Sequence, residues 1–307
     1  MRLGLVHINM GPMNRPDALV QAARAAEQAG FDSVWAGEHL VVPDPQVPPS
    51  PMAPQDPVLD SLLALTWAAA HTATIRLATG IVILPQRNPV LLAKQVATLD
   101  VLSGGRVMLG VGAGYLEPEF RAVGANFAER GAVTDEYLTA WRALWDEPQP
   151  SLDGKYAKFA NVVFAPKPVA RPHLPIWVGG ESPPALRRTV KFGDAWYPGS
   201  ANQTIRLNTP RRLRDGVAAL HRTAEKAGRD PATIDVGYLW FAPPVWSAQQ
   251  SSDGRQLFTG SSSDMLADAA ALEEAGARHV ILYPQRPTIE ETLDVLQRFG
   301  EEVVRKA

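Results

Sequence analysis

The recurrence of apolar runs constrains this chain most. Eight short runs, over 3–8, 31–35, 75–84, 106–111, 176–178, 194–197, 234–241 and 278–283, alternate with helical patterns. The run over 75–84 is almost continuously apolar, as expected of a strand buried on both faces. Helical patterns fall at 16–29, 58–71, 117–123, 134–145, 184–192 and 210–227, with others opening at Asn88-Pro89 and Thr288. Pro16 suits a first turn and Gly30 a C-terminus, while Thr288 with Glu291 reads as a capping box. Strands alternating with helices imply a parallel sheet. Eight such units predict an α/β fold, a (β/α)₈ TIM barrel over 1–307 as a single domain, with an open doubly wound sheet as the competing architecture.

Three stretches interrupt the rhythm. Residues 41–57 are dense in proline and follow the second strand; 243–263 are rich in Ser, Gln and Gly and follow the seventh. In a barrel both fall on the catalytic face. Residues 148–175 carry an Asp153-Gly154 turn and read as an inserted hairpin. Loops of this length are lids, binding loops or mobile decoration.

Composition removes several function classes. The net charge of −2 gives no footprint for nucleic acid. The absence of cysteine excludes disulfides, thiolate nucleophiles and cysteine metal sites. No segment offers the roughly 20 apolar residues of a membrane span, and MRLGLVHINMGP is too short an apolar run for a signal peptide. A cytoplasmic protein is the expectation. No lysine ends a strand, so a Schiff-base aldolase is excluded. The first strand ends in His7 and Asn9 where a binuclear metallohydrolase offers two histidines, so no metal is expected.

The glycines of GGRVMLGVGAGYLEPEF need separate treatment. Gly110, Gly112 and Gly114 are spaced G-x-G-x-G, at the fourth strand, and Leu116-Glu117-Pro118 follows. A dinucleotide fingerprint needs G-x-G-x-x-G opening a helix in an early turn, so that reading is rejected. Small residues let a strand end bend, and they leave a flat mouth against which a planar ring can lie. Gly179-Gly180 follows the fifth strand and suits a phosphate or ordinary loop chemistry.

SVWAGEHL, the long block Leu77–Phe120 and LPIWVGG together resemble the bacterial luciferase-like family of flavin and deazaflavin oxidoreductases, and most of all its F420-dependent branch. The resemblance implies a cofactor, F420 or alternatively FMN, seated at the barrel mouth, and a small-molecule substrate. It implies a non-proline cis bond at Gly80–Ile81 beneath the ring, Gly112, Ala113, Gly114 and Tyr115 along its polar edge, and Gly179 and Gly180 at its phosphate. His39 is the implied catalytic residue and also a cofactor contact, imidazole being the side chain most suited to proton transfer at neutral pH. Glu38 is its support. Tyr115 stands where some deazaflavin dehydrogenases carry glutamate, which favours reduction or monooxygenation over sugar-phosphate dehydrogenation. The substrate pocket is expected from His7, Asn9, Glu38 and Trp196; Trp35, Trp177 and Trp240 read as core. Arg87 could reach an anionic cofactor tail or sit solvated. The family is often dimeric, so a homodimer is the expectation.

Overall fold

Alternation within each strand decides which side chains face inward, and the inward set closes a ring. The computed structural model describes residues Met1–Lys306. Its eight parallel strands are β1 (Arg2–Val6), β2 (Ser33–Ala36), β3 (Arg76–Ile83), β4 (Val107–Gly112), β5 (Ile176–Gly179), β6 (Ala195–Tyr197), β7 (Asp235–Trp240) and β8 (His279–Leu282). They form a closed barrel in chain order, sealed where Leu5 of β1 pairs with Leu282 of β8. The open sheet is thereby excluded.

Two apolar layers result. Every strand sends side chains into the barrel, where Trp35, Trp177 and Tyr197 pack with Val6, Ala78, Met108, Ala195, Leu239 and Ile281. Trp35 and Tyr197 stack with centroids 4.7 Å apart, and Trp177 meets Trp35 edge-on at 5.1 Å. Rings this large fit because their neighbours are small; a Cβ at Gly237 would collide with the Trp177 ring. The second layer lies between sheet and helices, where residues such as Leu3, Leu5, Val34, Leu77 and Val111 meet Leu19, Leu65, Val96 and Leu144.

The helices obey their terminal signals. α1 (Pro16–Ala29) ends at Gly30 with φ 91°. Asp60 caps α2 (Ser61–His71) by accepting from the Leu62 and Leu63 N–H groups. Asn88 caps α3 (Pro89–Ser103) likewise. α4 (Glu117–Ala122) is short, and α5 (Arg130–Asp146) starts before the helical reading over 134–145. α6 (Pro183–Phe192) and α7 (Pro210–Lys226) match their patterns closely. α8 (Ser262–Glu274), which the apolar pattern did not reveal, opens on a Ser261–Asp264 capping box. α9 (Ile289–Glu302) carries the Thr288–Glu291 box.

The insertion over 148–175 contains a two-residue antiparallel hairpin, Leu152–Asp153 with Lys158–Phe159, and residues 162–164 are not strand. A second hairpin, Gln250–Ser251 with Gly254–Arg255, lies within 243–263.

Candidate active site

At the mouth, the inward-facing positions that end five consecutive strands are glycine: Gly37, Gly80, Gly112, Gly179 and Gly199. A Cβ at Gly37 would sit 2.9 Å from the His7 ring, and one at Gly80 would sit 3.1 Å from the Tyr197 hydroxyl. These positions form a basin rim where an added side chain would collide with or crowd its neighbours.

The motif glycines of β4 have a specific task. The β3–β4 register shifts between Thr79 and Val82, and the Gly80–Ile81 bond is cis. The Ile81 side chain then lies across β4 and β5. A Cβ at Gly112 would collide with Ile81 Cδ1, and at Gly110 and Gly179 it would lie 3.3 Å from Ile81 Cγ2. A mouth of bare main chain at Gly112 and Gly179 is therefore corrected: those glycines receive Ile81, which stays partly exposed and presents one aliphatic surface to the basin. Gly114, at φ 79°, abuts Ile83 and Phe120, and Arg130 Nε donates to its carbonyl at 3.2 Å.

Glu38 is turned away from the mouth. Its carboxylate accepts from the Ile83 N–H at 2.7 Å and from Arg87 Nε at 2.9 Å, and a second Arg87 nitrogen bonds it too. Arg87 also donates to Asp60 at 2.7 Å. Burial pushes the Glu38 carboxyl up, while Arg87 and the Ile83 N–H favour its anion. Arg87, its own pKa raised by Glu38 and Asp60 despite burial, is neither solvated nor free for an anion. The trio ties the ends of β2 and β3 to α2.

His39, the next residue, faces the basin. Its Nδ1 lies 3.0 Å from Oε1 of Glu119, a carboxylate with no exposure. Gln86 Nε2 reaches the other Glu119 oxygen at 3.5 Å. On the far side of the ring, Nε2 lies 3.4 Å from the Tyr115 hydroxyl. Burial, and secondarily the charge of Glu119, pushes the Tyr115 phenol up to about 12, so it keeps its proton at neutral pH. A cavity of about 330 Å³ opens beside His39, lined by Leu40, Val41, Val42, Pro54, Asp56 and Val58. The proline-rich insertion over 41–57 thus walls this space.

His7 completes the rim between Phe241 and Tyr283, with ring centroids 5.9 and 5.7 Å away. Burial first, then the charge of His39, lowers its pKa to about 4, so it is neutral at physiological pH. Besides Glu38, two more of the expected pocket residues lie elsewhere. Asn9 is fully buried and spent on main chain, donating to the carbonyls of Gly37 (2.8 Å) and Leu59 (2.6 Å) and accepting from the Gly37 N–H. Trp196 points outward, because β6 alternation sends Ala195 and Tyr197 inward; it packs in the outer layer against Gly216 and donates to the Gly180 carbonyl at 2.8 Å.

Gly179 and Gly180 form a turn into α6, with Gly180 at φ 105°. Pro183 and Pro184 begin that helix and carry no N–H, and the Ala185 N–H goes to Ser182 Oγ. The donors this turn can offer an anion are those of Gly180, Glu181 and Ser182. The Glu181 carboxylate is engaged with the Gly199 N–H (2.7 Å) and Asn202 (2.6 Å).

Sequence reasoning missed Glu119, Phe241, Tyr283 and Tyr197. Glu119 stands four residues after Tyr115 within the helical pattern read over 117–123; the side-by-side order of β2, β3 and β4 brings it to His39. Tyr197 has a buried hydroxyl without a hydrogen-bond partner, directly beneath Gly80.

Comparison with known proteins adds independent findings. The family model described as luciferase-like monooxygenase matches residues 3–282. An F420-dependent hydroxymycolic acid dehydrogenase of Mycobacterium tuberculosis is 32% identical over 226 residues, 72% of this chain and 57% of that protein. A 5,10-methylenetetrahydromethanopterin reductase of Methanolobus tindarius is 26% identical over 279 residues, 90% of this chain and 76% of that protein. The solved structure of an F420-dependent secondary alcohol dehydrogenase superposes with a TM-score of 0.79 at 21% identity, covering 99% of both chains.

Proposed function

The chain belongs to the luciferase-like monooxygenase family, and from that premise we propose that it is an F420-dependent oxidoreductase acting on a small organic substrate. One observation carries the reading: a glycine-rimmed basin, floored at Ile81, with His39 held at its edge by a buried carboxylate.

The residues present fit a flat heterocycle. A Cβ would collide at Gly37 and Gly112 and crowd its neighbours at Gly80, Gly179 and Gly199, Ile81 offers an aliphatic surface for one ring face, and the unpartnered Tyr197 hydroxyl lies beneath Gly80. Gly80 and Ile81 would support the ring, Gly112–Tyr115 and His39 would border it, and the Gly179–Gly180 turn would hold the phosphate. F420, when bound, supplies or accepts a hydride. The chain's own residues do the rest. Leu40, Val42 and Val58 line the cavity beside His39 and would give the reacting face an apolar border. His39 Nε2 holds or releases a proton at a substrate oxygen. His7, Phe241 and Tyr283 shape the wall opposite the glycines, and His7 and Glu38 stand as pocket and support residues, respectively.

The deciding experiment is a titration of the purified protein with F420 and with FMN side by side, followed by turnover of F420H₂ with candidate acceptors. Saturable F420 binding and acceptor-dependent oxidation are expected. Saturable binding of FMN alone would replace the proposal with an FMN-dependent monooxygenase. Binding of F420 without turnover across a wide acceptor panel would leave a non-catalytic carrier.

We further propose a homodimer. α2 and α3 carry apolar residues on both faces, and a helix apolar all round is one that is buried. Leu63, Trp67, Leu91 and Leu102 face outward, 71%, 45%, 58% and 66% exposed in the single chain. A second copy covering this face accounts for them.

A further inference from the structure

Within that oxidoreductase reading, we infer that Glu119 is a positioning residue that fixes His39 as the Nδ1–H tautomer and leaves the Nε2 lone pair facing the basin. Glu119 lies on α4 and has no exposure, and its Oε1 sits 3.0 Å from His39 Nδ1. An ionised carboxylate only accepts hydrogen bonds, so Nδ1 must carry the proton that joins them. The Gln86 amide, 3.5 Å from the second oxygen, supplies a donor there. On the opposite side, the Tyr115 hydroxyl lies 3.4 Å from Nε2 and, with its proton retained, is able to donate to a lone pair there. The Glu119 contact sets the tautomer, and the Tyr115 contact is compatible with it.

The consequence is a proton acceptor aimed at the substrate. When a substrate O–H bond breaks, its proton bonds to Nε2 and the electron pair stays on oxygen. The imidazolium then formed pairs with the Glu119 anion, which lowers the energy of that state. The reverse step returns the proton. Other groups also act on this ring. His7 faces it from the end of β1, Tyr115 from the segment after β4, and Asp56 lines the same cavity; Glu38 next to it in sequence is paired with Arg87. Glu119 is the one anion in direct contact with the ring among the described residues.

The test is nitrogen NMR of the histidine rings in the protein without cofactor, for wild type and for Glu119→Gln, followed by pH–rate profiles with F420. Wild type should show the neutral His39 ring with its proton on Nδ1. Glu119→Gln, whose amide can donate as well as accept, should spread that proton over both ring nitrogens. In turnover it should reduce kcat about 10–100-fold with little change in KM, and change the shape of the pH profile. A wild-type His39 protonated on Nε2 would overturn the inference, as would an unchanged Nδ1–H preference in a folded variant. Should the variant not fold, the wild-type tautomer alone decides. The ring measurement needs no cofactor, so a failed F420 titration would sink the cofactor reading and leave this one standing.

Discussion

His7 illustrates how one buried ring couples the site to stability. It adopts φ 64°, a left-handed conformation that only a few residue types tolerate well, Asn and His among them. Its folded pKa, about 4, lies below the ordinary 6.5, so the unfolded chain takes up the proton first as pH falls. Stability is therefore lost between pH 6.5 and about 4 and levels off below, by at most about 3 kcal/mol. His7→Asn keeps the backbone conformation and removes this dependence. Denaturant unfolding across that range should show a flatter profile for the variant, and parallel profiles would refute the assignment. Gly112 makes a second residue-scale case. Gly112→Val places a Cβ bearing two methyl groups where Ile81 Cδ1 lies, so Ile81 must rise into the basin. Overpacking of this kind costs roughly 1–3 kcal/mol, and ring binding should weaken more than stability does. Isothermal titration alongside thermal unfolding separates the two; unchanged F420 affinity would argue against Ile81 as the floor.

At the scale of elements, the site depends on β2, β3 and α2 being held together by Glu38, Arg87 and Asp60. Arg87→Met strands a carboxylate whose side chain is 1% exposed, and loss of one partner of a buried pair typically costs about 3–5 kcal/mol. Adding Glu38→Gln should recover part of that loss, which a double-mutant unfolding cycle measures directly. Independent, additive losses would mean that the two side chains do not act as a pair. This arrangement also marks the limit of sequence reading. Eight strands and most helices were legible, because burial on two faces leaves nearly unbroken apolar runs and because proline, glycine and capping residues punctuate the helices. The cis bond at Gly80–Ile81, expected from the resemblance, is present. The partners of Arg87 were not legible, since they lie 49 and 27 residues away and meet only once β2 and β3 pair and α2 packs beside them. Nor was the direction of Trp196, where a three-residue strand gives too short a pattern to fix alternation. Glu119 escaped for a related reason: nothing local to α4 distinguishes a carboxylate aimed at His39 from one aimed at solvent.

For the whole molecule, the outward leucines of α2 and α3 make the strongest claim. Leu63→Glu with Leu91→Glu should convert the proposed dimer into a monomer in sedimentation velocity while leaving circular dichroism unchanged. A wild-type chain that sediments as a monomer at working concentrations would remove the proposal. The floor of the barrel and its mouth are built by opposite means. Bulky aromatic rings fill the middle, whereas the upper rim excludes every side chain but a few. That division governs how such a scaffold can diversify. Exchanges at the five rim glycines crowd their neighbours to differing degrees, so new substrate preferences arise more readily in the wall at His7, Phe241 and Tyr283 and in the segment over 41–57. That wall can be rewritten without touching the barrel strands beneath it.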